Sequence, residues 1–370
     1  VTHLEPRRTA LPVLVAVAAV LVSACGPVLG GAEAEEELSS GFAVPSVSSV
    51  EAAADPRAFE GVIDIDLPDP VIDPVTTDAA PRLPVTVTDS RGERVTVSDT
   101  DRVLALDIHG TLAQTVFELG LGDQVVGRDV SSSFPGIEDR PLVTRDGHDL
   151  NAEAILALEP TVVLTDTSLG PFNVVLQLED AGIPVVVVDS ERNLENLAPL
   201  TMEVATALGV PGAGRELGAR IEQETADVTE AIAEVVPDDV TGQLRTVFLY
   251  VRGQAGVYYM FGEGSGADSL ITAAGGYDVA EEIGWAGMKP VNDEGLVAAQ
   301  PDVVLMMTKG LESVGGVDGL LERFPALAAT EAGRHERIVA MDDAQVLSFG
   351  PRTPEVLNAL AVALYAPDAL

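Results

Sequence analysis

The chain has 370 residues, enough for two lobes that each bury a sizeable core. Its 59 acidic residues against 21 basic ones give a net charge of −38, which argues against a nucleic-acid surface and against a face that adheres to anionic lipid. The single cysteine, Cys25, excludes an intramolecular disulfide and leaves the body of the chain without a Cys nucleophile or a Cys-based metal site.

At the N-terminus, Arg7 and Arg8 precede an apolar stretch, residues 10–24, that is too short for a comfortable membrane span. The stretch ends in Val22-Ser23-Ala24-Cys25. Residues 1–24 therefore read as an export signal, and the ending resembles a bacterial lipobox, in which the Cys becomes the lipidated first residue. The alternative is an ordinary signal peptide with an incidental Cys. Residues 25–84 are rich in Ala, Ser, Pro, Glu and Asp and show little periodicity, which predicts an acidic, disordered tether. The alternation in VIDIDLPDPVI leaves a folded acidic subdomain open as the other reading.

Order is expected from Val85. The run VTVTDSRGERVTVSD has two alternating strands around Ser90-Arg91-Gly92, a hairpin pattern. Strands are predicted at 102–107, 161–166 and 184–189, with VVG at 125–127, between helices near 109–120, 152–158 and 173–181. Helical spacing then runs over about 194–235, broken near Gly209-Val210-Pro211-Gly212. The pattern restarts with strand 246–252, helices 266–274 and 293–299, strand 302–308, a helix near 316–323, strand 337–341 and a helix over 354–364. Solid Val/Leu strands between helices indicate parallel sheet covered on both faces. The fold class is α/β: two Rossmann-like lobes, 85–200 and 244–370, joined by a long helix within 201–243.

The chain also repeats itself. Asn151-Ala152-Glu153 opens NAEAILALEPTVVLTD, and Asn292-Asp293-Glu294 opens NDEGLVAAQPDVVLMM. In both copies Glu comes two residues after Asn, Pro nine after, and Val-Val-Leu begins eleven after. Such a repeat implies two structurally equivalent lobes. Behind an Asn cap, each carboxylate favours its helix dipole by up to ~1 kcal/mol.

The lipobox, the acidic tether, the hairpin before Arg102-Val103-Leu104, the helical spine and the repeated Asn-x-Glu turn together resemble the substrate-binding lipoproteins of ABC importers for iron-siderophores, haem and cobalamin. The resemblance covers roughly residues 85–370. It implies a binding protein and not an enzyme, monomeric, lipid-anchored through Cys25 at the extracytoplasmic face of the cell membrane, and partnered by a permease and its ATPase. It further implies that Glu153 and Glu294, one per lobe, dock onto permease arginines.

A narrower resemblance is to the haem-binding members from actinobacteria. It rests on Asp146-Gly147-His148, just before the first Asn-capped helix, and on Tyr250-Val251-Arg252, at the end of a second-lobe strand. In those relatives a His and a Tyr from opposite lobes clasp the haem iron, and an Arg two residues after the Tyr supports it. By that resemblance His148 and Tyr250 are the haem iron ligands, Arg252 supports them, and haem is the cargo. A ferric siderophore or a corrinoid is the alternative. The chemistry agrees, since haem iron accepts imidazole or phenolate. Two residues apart on a strand, Tyr250 and Arg252 share a face, and an adjacent guanidinium favours phenolate.

Several other candidates have two readings. His109 follows the first strand, where open α/β sheets place ligand loops, and either contacts ligand or starts a helix. Met307, which recurs in the haem-binding relatives, is ligand support or core. Lys309, Arg128 and Arg352 are partners for propionates or members of surface ion pairs. Tyr258 and Tyr259 line the cleft or pack in the core, Trp285 is expected to line the cleft, and His335 reads as surface. Lys289, beside Met288, occupies the place in the second copy that His148 occupies in the first. The chain lacks a GxSxG elbow, an HExxH run and a metal-ligand cluster, which sets an enzyme aside.

Overall fold

The computed structural model describes residues 44–370. The signal segment 1–24 and Cys25 lie outside the described residues. Among the described residues no helix is long and apolar enough to cross a membrane.

The first lobe is built on three parallel strands, Val103–Leu106, Val162–Thr165 and Val185–Val187, in that order. All their residues are buried, as continuous apolar strands covered on both faces should be. Helices Thr111–Val116, Ala152–Ala157 and Asn173–Asp180 belong to this lobe. The hairpin forms as predicted, with Val85–Thr88 antiparallel to Arg94–Val97. The segment at 125–127 is not a strand and adds only a bridge from Val125 to Val103.

The second lobe has a mixed sheet. Its order is Val62–Ile65, Ile338–Met341, Val303–Met307, Arg245–Arg252, Val257–Phe261, Met288–Pro290. The first four strands are parallel and the last two antiparallel. The parallel sheet expected from sequence therefore holds for the first four strands and continues into an antiparallel pair. A short turn, Gly253–Ala255, followed by Gly256 at φ 67, folds GVYYMF back on the strand before it. Only glycine takes that backbone conformation at little cost.

The helical region is a hairpin of two helices, Leu197–Ala207 and Pro211–Val235, that turns at Gly209 (φ 74). A Cβ on Gly214 would lie 2.4 Å from that of Ala205, so this glycine lets the two helices close up. Only Pro211–Val235 is the spine. Its 25 residues span roughly 37 Å at 1.5 Å per residue. It packs against the last helix, Thr353–Tyr365.

The disordered tether expected over 25–84 does not hold for residues 44–84, which form a strap across both lobes. Val47 N–H donates to Asn358 Oδ1 at 2.8 Å, and Gly61 N–H to the His335 carbonyl at 2.8 Å. Val62–Ile65 then covers the sheet edge beside Ile338–Met341, where unpaired backbone groups would otherwise stand open. Beyond it, Arg352 donates to the Pro68 carbonyl at 2.6 Å. On the first lobe, Val75 N–H donates to the Glu118 carbonyl and Arg82 N–H to the Gly209 carbonyl, both at 2.9 Å. The strap passes so close to Gly120 that a Cβ there would sit 2.1 Å from the Thr76 carbonyl oxygen. Composition misleads because Ile63, Ile65 and Leu67 point inward while Asp64 and Asp66 between them face solvent. The acids thus occupy outward positions of a segment whose inward positions are core.

The strap should belong to the cooperative unit. Ile65→Ala is expected to cost about 2–4 kcal/mol in urea unfolding. A chain beginning at residue 85 should unfold at lower urea still. An unchanged midpoint in both would mean that the strap adds nothing to stability.

Candidate functional site

A cleft of about 1250 Å³ lies between the two lobes. Loops of the first lobe bring Ile108, His109, Ser131, His148 and Arg192 to it, and the second lobe brings Tyr250, Arg252, Phe261, Met307 and Lys309. All six residues that the sequence reading marked as ligands or ligand support thus line one cavity.

His148 is presented by a small hairpin in which Thr144–Arg145 pairs antiparallel with Asp149–Leu150. The turn between them holds Asp146 at φ 48 and Gly147 at φ 91, and this carries the imidazole to the wall of the cleft. Burial lowers the His148 pKa, Arg252 and Lys309 lower it further, and Asp343 raises it. All three of those charges belong to the second lobe, so His148 faces that lobe. The shift favours neutral imidazole, whose free lone pair can bind a metal.

Tyr250 and Arg252 end the strand Arg245–Arg252. Val251 between them is buried in the second lobe's core, and the flanking pair is only partly buried. This is the two-residue alternation of a strand. The Tyr250 ring stacks on Phe261, with centroids 5.7 Å apart, and Phe261 stacks on Phe248 at 5.2 Å. The Arg252 guanidinium lies over the Tyr250 ring, with Cζ 4.5 Å from its centroid. Met307 serves both of its readings: it is 7% exposed, and its sulfur accepts from Arg252 Nη2 at 3.4 Å. Lys309 is well exposed, with Nζ 3.9 Å from Asp342.

His109 lies deeper. Burial and Arg192 push its pKa down to about 4, so it is neutral near pH 7. Beneath it is a cluster that the sequence reading missed. Arg192 bonds Asp166 and lies 3.7 Å from Asp107. Asp107 accepts the backbone N–H groups of Thr111 and Leu112 at the start of their helix. Asp129, fully buried, accepts from Ser131 N–H at 2.9 Å and Ser132 N–H at 2.8 Å. One signal was available: Asp107 and Asp166 each directly follow the last residue of a buried strand, Leu106 and Thr165.

Other candidates lie elsewhere. Glu153 and Glu294 are exposed, outside the cleft, in the first turns of Ala152–Ala157 and Asp293–Ala299. Asn151 and Asn292 cap those helices by accepting from Ala154 N–H at 3.3 Å and Gly295 N–H at 2.7 Å. Trp285 is not in the cleft, because its Nε1 donates to the Met260 carbonyl and Lys289 lies over its ring. Of the second-copy loop, Met288 lines the cleft and Lys289 does not. Tyr259 lines it too, while Tyr258 packs edge-on against Phe324. Arg128 donates to backbone carbonyls, Arg352 holds the strap and Glu355, and His335 lies near Glu60 and Glu331.

Comparison with known proteins places this architecture. Residues 108–345 match the family model described as periplasmic binding protein. The solved structure of the haem-binding protein HmuT is 41% identical, with a TM-score of 0.78, over 84% of this chain and 99% of that one. Other structures of that protein carry alanine in place of a His, a Tyr or an Arg, the last two positions being two residues apart. An uncharacterized ABC transporter substrate-binding lipoprotein of Bacillus subtilis (strain 168), YvrC, is 24% identical over 77% of this chain and 86% of its own. A cobalamin-binding protein of Halobacterium salinarum is 26% identical over 80% of this chain and 79% of its own. The chain belongs to the periplasmic binding protein family. It is a substrate-binding component of an ABC importer and not an enzyme.

The buried cluster predicts a pH effect. Burial, then Asp107, raises the Asp129 pKa from 3.8 to about 7, against the backbone N–H groups that lower it. Between those values the folded chain keeps a proton that the unfolded chain has released. Asp129 therefore contributes stability below about pH 4 that is lost as pH rises through about 7. Asp129→Asn should remove that loss, so its stability relative to the parent should climb from pH 4 to 8. Urea midpoints across that range check this, and a constant difference would contradict it.

Proposed function

We propose that this protein captures haem in the interlobe cleft, with His148 and Tyr250 as axial ligands of ferric iron, and delivers it to an ABC permease. The observation that carries the reading is the placement of His148 on one wall of the cleft and Tyr250, with Arg252 over its ring, on the other. Phenolate is a hard anionic donor suited to ferric iron. Tyr250, Phe261 and the exposed Met288 offer apolar surface for the faces of a macrocycle, with the buried Phe248 stacked behind Phe261. The likeness to HmuT supports the same cargo, since its alanine variants include a Tyr and an Arg spaced as Tyr250 and Arg252 are.

Charge weighs against a ferric siderophore. Three cations of the cleft wall each have a carboxylate beside them: Arg192 has Asp166, Arg252 has Asp343 and Lys309 has Asp342. A strongly anionic chelate would find little uncompensated positive charge. Of the three, Lys309 is the most exposed and the least tightly paired, which suits it to a propionate at the cleft mouth. A corrinoid is the second reading, and the cobalamin-binding relative is the observation that favours it. Glu153 and Glu294 would meet the permease, one for each half of a two-fold partner. Cys25 would carry the lipid that holds the protein at the extracytoplasmic membrane face.

The test is spectroscopic. Hemin added to the full chain should give a shifted Soret band, and His148→Ala and Tyr250→Ala should each weaken binding by at least about tenfold. A spectrum identical to free hemin, with binding of cyanocobalamin instead, would move the cargo to a corrinoid. For docking, Glu153→Arg with Glu294→Arg should leave hemin affinity unchanged and abolish stimulation of the permease-bound ATPase. Full stimulation by that double variant would remove both residues from the interface.

A further inference from the structure

Arg252 has a long side chain in a chain crowded with acids, and it borders a second hollow, beside Glu312, as well as the main cleft. Something must hold it over Tyr250. Its Nη1 donates to the Val251 carbonyl at 2.9 Å, and its Nη2 donates to Asp343 Oδ2 at 2.5 Å and to Met307 sulfur. Among these acceptors only Asp343 is charged. Asp343 is itself fixed, because its other oxygen accepts the Lys309 backbone N–H at 3.3 Å, at the start of helix Thr308–Glu312. Its side chain is 17% exposed, so water screens the pair only in part.

We infer that Asp343 is a positioning residue for ligand capture: it clamps the Arg252 guanidinium over the Tyr250 ring and keeps it from Glu312 on the other side. This rests on the proposal that Tyr250 binds the cargo. Two further consequences follow from the geometry. The clamp makes the cation beside Tyr250 internally compensated, so it is less available to an anionic competitor. It also ties the ligand strand to the loop after Ile338–Met341, 91 residues further along the chain. An Arg freed from Asp343 would have rotamers to explore, and the ordered cation would be lost.

The experiment uses the full chain with Asp343→Asn, Asp343→Glu, Arg252→Ala and the double variant Asp343→Asn/Arg252→Ala. Asp343→Asn should weaken hemin binding by roughly tenfold and alter the charge-transfer bands of the bound ferric haem. Asp343→Glu should restore both in large part, which a merely structural loss would not. The double variant should bind hemin as Arg252→Ala does, because the two residues act as one unit. In the unloaded protein, phenylglyoxal should modify Arg252 several-fold faster in Asp343→Asn, read by peptide mass mapping. Losses that simply add in the double variant, or unchanged spectra together with unchanged Arg252 labelling, overturn the inference. If the parent chain leaves hemin unbound, the haem reading fails by itself, and the labelling rate still decides whether Asp343 holds Arg252.

Discussion

The alternation at the end of one strand governs this molecule's chemistry. Tyr250 and Arg252 face the cleft because Val251 between them is committed to the second lobe's core. Burying an aliphatic side chain is worth roughly 1.5–3 kcal/mol, and that burial sets the rotation of the strand about its axis. Slipping the register by one residue would send both polar groups into a core and the valine to the ligand. The remaining parts of the site serve that strand. The hairpin turn brings His148 to the opposite wall, the stacked phenylalanines support the tyrosine ring, and the carboxylate after the last strand holds the guanidinium.

The two lobes solve the same local problem in the same way. Each has an apolar strand preceded by an Asn-capped helix, and each leaves a glutamate exposed in the first turn. The loops before those helices have diverged. The first presents a histidine to the cleft, whereas the second presents a methionine and turns its lysine onto Trp285. The duplicated frame is thus symmetric at its outer helices and asymmetric where a ligand would sit. The strap adds a second connection between the lobes beside the spine, so the walls of the cleft are tied together at two places.

Much of the fold was legible because it is local. Period-two and helical spacing located most of the strands and helices, and the Asn-x-Glu turns announced their caps. The readings that failed did so for identifiable reasons. The strap looked like a tether because composition counts acids without asking which way each one points. The antiparallel return at Val257–Phe261 depends on one left-handed glycine, Gly256, among many glycines that need no such conformation. Trp285 looked like a cleft residue until its indole nitrogen was found donating to the Met260 carbonyl.

The sequence by itself determined the α/β order, the two capped helices and the shared face of Tyr250 and Arg252. Those features follow from neighbours within a few residues, where strand pleat and helix pitch dictate direction. Only the tertiary structure decided that His148 faces Arg252, that Asp343 holds that arginine, and that Asp107 and Asp166 flank Arg192 at the cleft floor with Asp129 beside Asp107. Those partners lie tens of residues apart in the chain. In a sequence with 59 acids, nothing local marks which of them meets which of 21 bases. The choice is made by packing, which brings selected loops to one cavity and leaves most of the other acids to solvent.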